Sequence, residues 1–266
     1  AGLVGYSMFR SGQQFRGGDG IVTKGVEKIM NIAIIFAGGT GQRMTSAVKP
    51  KQFLEVHGKP IIIYTLEHFE HHSDIDGIIV VCLESWIGYL ESLLQRYGVT
   101  KVKAIVSGGA TGQQSIFAGI SKAHELYDDD TVLLIHDGVR PLIDAELISA
   151  NIECAKKNGN AVTVTPAIET IALKDDNTIH NIMNRQSCWI AKAPQCFKLG
   201  DIYSAHLKAQ EEGRDDFIDS ASLMLNYNTA IFPVEGKPEN IKITTPSDYY
   251  IFKAILDANE SSQIWG

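Results

Sequence analysis

The hydrophobic positions along the chain follow two alternating rhythms. Ile32-Ala33-Ile34-Ile35-Phe36-Ala37 is short, apolar, rich in β-branched residues and stopped by glycines, which predicts a strand buried on both faces, as in a parallel sheet. Ile78 to Leu83 and Thr131 to His136 repeat that character, and Ala161 to Thr165 and Ala230 to Val234 are further candidate strands. Between them, apolar residues recur near i, i+3, i+4 over Ile61 to His72, Trp86 to Tyr97, Ser115 to Leu126, Ala145 to Lys156 and Ile202 to Gln210, the helical period. Ser247 to Asp257 reads as a last helix, started by Pro246. Strands alternating with helices predict an α/β domain with a mainly parallel, twisted sheet and helices on both faces. Ligands of such sheets bind beyond the carboxyl ends of the strands.

Two segments depart from the rhythm. Residues 168–194 are polar, with Lys174-Asp175-Asp176-Asn177 as a turn between two short extended pieces, and predict a β-hairpin arm projecting from the sheet. Residues 1–29 are rich in Gly, Ser and Gln and lack sustained periodicity. They are expected to be a non-native leader, left by expression or by a misplaced upstream start, with Met30 the natural first residue. Residues 30–266 then form a single domain.

Composition narrows the class. A chain of 266 residues with 44% hydrophobic and 21% charged positions is ordinary for a globular protein. The net charge of -7 argues against general nucleic-acid binding, which favours basic surfaces. No apolar run approaches a membrane span. Cys82, Cys154, Cys188 and Cys196 form no C-x-x-C pair, so no zinc or redox motif is signalled, and four scattered thiols suit a reducing cytoplasm. His68, His71 and His72 have a metal-compatible helical spacing, but with no carboxylate or cysteine to complete a set they read as a solvent-facing polar stripe.

The chemistry concentrates after the first strand. Gly38-Gly39-Thr40-Gly41-Gln42-Arg43 fits neither the P-loop nor the dinucleotide fingerprint. Glycines there serve equally as a tight strand–helix turn or as a cradle whose N–H groups face phosphate oxygens. Arg43 and Lys51 tip the balance, because fixed cations beside such a loop neutralise charge in phosphoryl or nucleotidyl transfer. Asp219, in Phe217-Ile218-Asp219-Ser220, reads best as a helix N-cap.

The run A-G-G-x-G-x-R-M at Ala37 to Met44, followed by P-K-Q-F-L at Pro50 to Leu54, resembles the cytidylyltransferases that act on alditol phosphates. That family includes the methylerythritol-phosphate and ribitol-phosphate enzymes. The resemblance spans about residues 31–258 and continues through Val106-Ser107-Gly108-Gly109, His136 to Pro141, Glu169-Thr170-Ile171, Asn184-Arg185, Ala193 to Phe197 and Asn240 to Pro246, in order. It implies a Rossmann-like fold of the nucleotide-diphospho-sugar transferase kind, a homodimer, and an enzyme that uses CTP, an alditol phosphate and Mg2+ or another divalent cation. It implies that Arg43, Lys51 and Lys242 stabilise charge at the α-phosphorus. Phe36, Ala37, Gly38 and Gly39 would hold cytosine and triphosphate, and Gly109, Ala110 and Ser115 would close over base and ribose. Asp137 and Arg140 would face the acceptor, Asp137 also serving the metal. Thr170 and Arg185 would reach the acceptor's phosphate from the neighbouring subunit.

Three positions depart from the family pattern. Gly112 stands where an arginine is frequent, Lys192-Ala193-Pro194-Gln195 replaces Q-T-P-Q, and Glu169-Thr170 replaces Asp-Thr. The segments around Glu84, His136 and Ala167 look more like the ribitol-phosphate branch, which makes ribitol 5-phosphate the favoured acceptor and methylerythritol 4-phosphate the alternative. A non-catalytic nucleotide-binding module on the same fold is the competing class. Loss of Arg43, Lys51 or Lys242 would have favoured it, and all three are present.

Overall fold

The computed structural model describes residues 28–38 and 49–265, with side chains as far as residue 261. Its strands are β1 (Asn31–Ala37), β2 (Glu55–Val56), β3 (Lys59–Pro60), β4 (Gly77–Cys82), β5 (Val102–Ser107), β6 (Val132–Asp137), β7 (Asn160–Pro166), β8 (Ala172–Asp175), β9 (Thr178–Ile182), β10 (Trp189–Lys198) and β11 (Pro233–Glu235). Its helices are α1 (Ile61–Glu70), α2 (Ile87–Tyr97), α3 (Gly112–Leu126), α4 (Ala145–Asn158), α5 (Leu199–Glu211), α6 (Ser220–Asn226) and α7 (Pro246–Trp265). Seven strands form one sheet in the order β11-β7-β10-β6-β1-β4-β5. Of these seven, only β10 runs antiparallel to its neighbours.

The period-2 alternation of the central strands divides the core. Ala33, Ile35 and Ala37 of β1 pack with Ile78 and Val80 of β4 and Leu134 of β6 on one face, under α1, α2 and α4. Ile32, Ile34, Ile79, Val81, Leu133 and Ile135 face the other way, under α3, α5 and α6. Every inner position of these strands is therefore buried, which is why they read as continuous apolar runs. A smaller cluster of Val56, Ile61, Val139, Ile243 and Phe252 seats α7. The expected sheet with helices on both faces is the one observed.

The differences from expectation are local. The candidate strand at Ala230 to Val234 pairs only from Pro233, because the Asn160 side-chain amide takes over the Ala230 carbonyl and the Phe232 N–H. Strands β8 and β9 form the expected hairpin, turning at Asp176 in the left-handed region. Residues 189–194 belong instead to β10, whose Trp189, Ile190 and Ala191 pair with β7. Of the three histidines only His71 is solvent-exposed, as expected of a polar stripe, and His68 and His72 are not. His72 is buried against α4, with Nε2 at 3.1 Å from the Ala145 carbonyl, and His68 Nε2 lies 3.1 Å from the Pro141 carbonyl. His68 is polar packing between α1 and the loop that follows β6, and His72, just past α1, packs against α4.

Candidate active site

The parallel register brings the candidate residues to one edge of the sheet. Phe36 lies opposite Asp137, Ala37 opposite Cys82, and Cys82 opposite Ser107. The loops that follow these strands therefore emerge side by side at the carboxyl ends. Gly38 and Gly108 approach until a Cβ on Gly108 would stand 3.6 Å from the Gly38 Cα and 3.0 Å from Ser115 Oγ. Glycine is needed there for closeness rather than for an unusual dihedral angle. Ser115, in the first turns of α3, accepts a 3.1 Å bond from the Gly109 N–H and donates 2.9 Å to the Thr111 carbonyl. Gln114 receives the Ala110 N–H at 3.0 Å, and Thr111 caps the helix by accepting the Gln114 N–H. Gly38, Gly109, Ala110 and Ser115 are thus gathered into one structure with the start of a helix behind it, a favourable place for anionic groups.

Lys51 reaches this edge through its neighbours. Gln52, fully buried, donates its side-chain amide to the Ala37 carbonyl, and Phe53 stacks on Trp86 at 5.0 Å. These anchors directly follow Lys51 in a single 3-10 turn after Pro50. Arg43 and Gly39, the other members expected on this side, lie outside the described residues.

The second half of the site is an ion cluster at the end of β6. Asp137, 5% exposed, meets Arg140 Nε at 3.1 Å through Oδ2 and Lys242 Nζ at 2.6 Å through Oδ1. Burial pushes the Asp137 carboxyl up, but the charges of Lys242 and then Arg140 outweigh it, so its pKa falls below the ordinary aspartate value. Arg140 Nη1 also donates 2.8 Å to the Asn240 carbonyl, and Asn240 Nδ2 donates 2.9 Å to the Ala193 carbonyl. The Lys242 ammonium lies 5.5 Å from the centre of the Phe36 ring. Behind the cluster, His136 is driven down to about pKa 3 by burial and remains neutral. Its Nε2 lies 3.0 Å from the Arg140 carbonyl, and Thr65 Oγ1 donates 3.1 Å to the Gly138 carbonyl. Asp137 is therefore held from the loop after β6 by Arg140 and from the segment before α7 by Lys242, and Asn240 ties that segment to β10.

A cavity of about 170 Å³ opens over this cluster, lined by Phe36, Asp137, Arg140, Lys192 and Lys242 among others. A larger groove of about 680 Å³ lies beyond Pro141, lined by His68, His71 and Lys237. It contains none of the expected site residues, so size does not identify the site. Thr170 and Arg185 are exposed on the arm, where Arg185 Nη1 donates 3.0 Å to the Ile168 carbonyl. Neither shares a hydrogen bond or ion pair with Asp137, Arg140 or Lys242. Asp219 is the expected N-cap: it accepts the Ser222 N–H at 2.8 Å in a reciprocal capping box. Sequence reasoning missed Asn240 as the tie between Arg140 and β10, and it treated Lys192 only as a departure from a pattern.

Among the described residues no group of three or more His, Cys, Asp or Glu side chains is placed to hold a metal ion. The four cysteines are free thiols, and no described helix is long and apolar enough to cross a membrane.

Comparison with known proteins bears on the chain as a whole. The family model of IspD, 2-C-methyl-D-erythritol 4-phosphate cytidylyltransferase, matches residues 31–258. The chain belongs to this family. It is a cytidylyltransferase, and the resemblance in its motifs is borne out. A ribitol-5-phosphate cytidylyltransferase from Streptococcus agalactiae serotype V is 53% identical over 239 residues, 90% of this chain and 100% of that protein. A 2-C-methyl-D-erythritol 4-phosphate cytidylyltransferase from Bacillus licheniformis is 38% identical over 237 residues, 88% of this chain and 99% of that one. Among solved structures, a 4-diphosphocytidyl-2C-methyl-D-erythritol synthase from Anaerococcus prevotii superposes with a TM-score of 0.72 at 28% identity, covering 86% of this chain and 96% of that chain.

Proposed function

We propose that the chain transfers CMP from CTP to D-ribitol 5-phosphate, releasing pyrophosphate and forming CDP-ribitol. The carrying observation is the Asp137–Arg140–Lys242 cluster facing the Gly38–Gly108 edge across one rim of the sheet. The 53% identity to a ribitol-5-phosphate enzyme, against 38% to a methylerythritol-phosphate enzyme, favours ribitol 5-phosphate as acceptor.

An oxygen of the acceptor's phosphate attacks the α-phosphorus of CTP, the bond to the β-phosphate breaks, and pyrophosphate departs with its electron pair. The attacking group is already ionised at neutral pH, so no general base is required. Lys51, Arg43 and Lys242 counter the charge that builds on the α-phosphate. Phe36, Ala37, Gly38, Gly39, Gly109, Ala110 and Ser115 hold the nucleotide, while Asp137 and Arg140 order the acceptor side. Both oxygens of Asp137 already meet a cation, yet each keeps a second lone pair, and magnesium is content with one or two carboxylates plus phosphate oxygens. A divalent ion on Asp137 and the triphosphate would supply Lewis-acid neutralisation of that charge.

The enzyme acts as a homodimer in the cytoplasm, with Thr170 and Arg185 of each arm serving the neighbouring site. The planar fork of Arg185 suits a phosphate. Pyrophosphate release with CTP and Mg2+ is the test, comparing ribitol 5-phosphate with methylerythritol 4-phosphate. Preference for ribitol 5-phosphate is expected. Preference for the branched acceptor overturns the assignment, and release with neither revives a binding module.

A further inference from the structure

Strand β10 leaves its ladder with β7 between Ala191 and Gln195. Lys192 falls in this interruption, half-buried, and lines the cavity over the ion cluster. Lys242 lies over the Phe36 ring, Asp137 bridges Lys242 and Arg140, and Lys192 lines the same cavity within the field of Arg140. Lys192 thus shares one small cavity with Arg140, Asp137 and Lys242, beside which an acceptor phosphate has to lie to reach the α-phosphorus.

The charges of that cavity do not close on themselves. Asp137 is shared by Arg140 and Lys242. Asp219, the other carboxylate of the cavity, is spent on the Ser222 N–H and the Gln195 side chain. Among the described residues Lys192 forms no ion pair, and its one side-chain hydrogen bond, 2.9 Å, goes to the Pro238 carbonyl. Burial and then the charge of Arg140 lower its pKa, only partly offset by Glu239. Two cations that line one cavity, with donors to spare and no carboxylate paired to Lys192 among the described residues, are stabilised by an anion that both can reach.

We infer that Lys192 contacts the acceptor, binding its phosphate together with Arg140 and so making the pocket select phosphorylated polyols. The inference rests on the reading of the acceptor as an alditol phosphate. It adds a cation from β10 to Arg185, the one expected from the arm. A simple latch on Pro238 is the rival role, since the segment beyond it carries Asn240 and Lys242.

The test is steady-state kinetics of Lys192→Gln and Lys192→Arg, run with whichever alditol phosphate the wild type turns over, so that a wrong acceptor leaves the measurement intact. For Lys192→Gln the acceptor KM is expected to rise about tenfold or more, the worth of one charge-assisted hydrogen bond. The CTP KM should stay within about twofold, and competitive inhibition by inorganic phosphate against the acceptor should weaken in step with the acceptor KM. Lys192→Arg should recover most of the loss. An unchanged acceptor KM overturns the inference. So does a joint rise of both KM values with a fall in Tm, which is the signature of a latch. An enzyme that turns over no alditol phosphate removes this inference together with the functional reading.

Discussion

Asp137 is buried and still ionised, because two cations reach it, whereas His206 is buried and has given up its charge. His206 is 2% exposed on α5, stacked on Phe117 at 5.2 Å, and its Nε2 has no hydrogen-bond partner among the described residues. Burial pushes its pKa down to about 4. The unfolded chain, with an ordinary histidine near 6.5, binds that proton earlier, so folding stability is complete above about pH 6.5 and is lost as pH falls towards 4. His136 acts with the same sign, down to about 3. A tenfold change in proton affinity corresponds to about 1.4 kcal/mol, so His206 alone costs at most about 3 kcal/mol by pH 4. Asp137, lowered from 3.8, contributes its loss only below that value. His206→Phe keeps the stacking, removes the proton site and leaves no orphaned nitrogen. Its Tm at pH 7 is expected to match or exceed that of the wild type, with a shallower fall between about pH 6.5 and 4.5. An equally steep fall would show that the acid sensitivity arises elsewhere.

Helix α3 is the element that turns packing into a binding site. Its amino end organises Gly109, Ala110 and Ser115, and its middle touches the sheet at Gly119. A Cβ on Gly119 would stand 2.7 Å from Ile34 Cγ2 and 2.9 Å from Val81 Cγ2, both on rigid central strands. Gly119→Ala therefore forces the helix outward. An overpacking cost of about 1–3 kcal/mol outweighs the gain of about 1 kcal/mol in helix propensity. Gly112→Ala, with nothing within 4 Å of the new Cβ, has only the propensity gain. Thermal melts should rank Gly119→Ala below the wild type and Gly112→Ala at or above it, and the CTP KM should rise only for Gly119→Ala. Equal Tm values for all three would mean that α3 is not wedged by its glycine. The same contrast explains what could be read beforehand. Central strands β1, β4 and β6 announce themselves because both faces are buried. Edge strand β5, with Lys103 exposed, has no such run, and β10 begins inside a polar stretch and contains Pro194. The motif residues were legible by type and order. Asn240 was not, because its bonds to Arg140 and Ala193 span 100 and 47 positions and exist only in the folded chain.

At the scale of the molecule, the arm is the feature that the single chain leaves unexplained. Every residue of β8 and β9 is exposed, including Leu173, Ile179 and Ile182, and Trp189 and Ile190 are exposed at the start of β10. A two-stranded hairpin is marginal by itself, and exposed apolar residues gathered on one arm are what a protein–protein interface would cover. A second copy is the occupant that also gives Thr170 and Arg185 a role, since neither bonds to the ion cluster of its own chain. In a two-fold dimer each site would combine Lys242 of one chain with Arg185 of the other. Arg185→Ala and Lys242→Gln should then each be nearly inactive alone. Co-expressed, they pair at random, half of the dimers are mixed, and each mixed dimer keeps one site with both residues intact. About a quarter of wild-type turnover is expected to return, measured as pyrophosphate release per chain. If the arm serves its own chain, no site in the mixture holds both residues and nothing returns. Light scattering on the wild type supplies the physical counterpart, with a mass of two chains required. Trp189→Glu in β10, outside the Asp137 cluster, should move that mass towards one chain and lower activity with it.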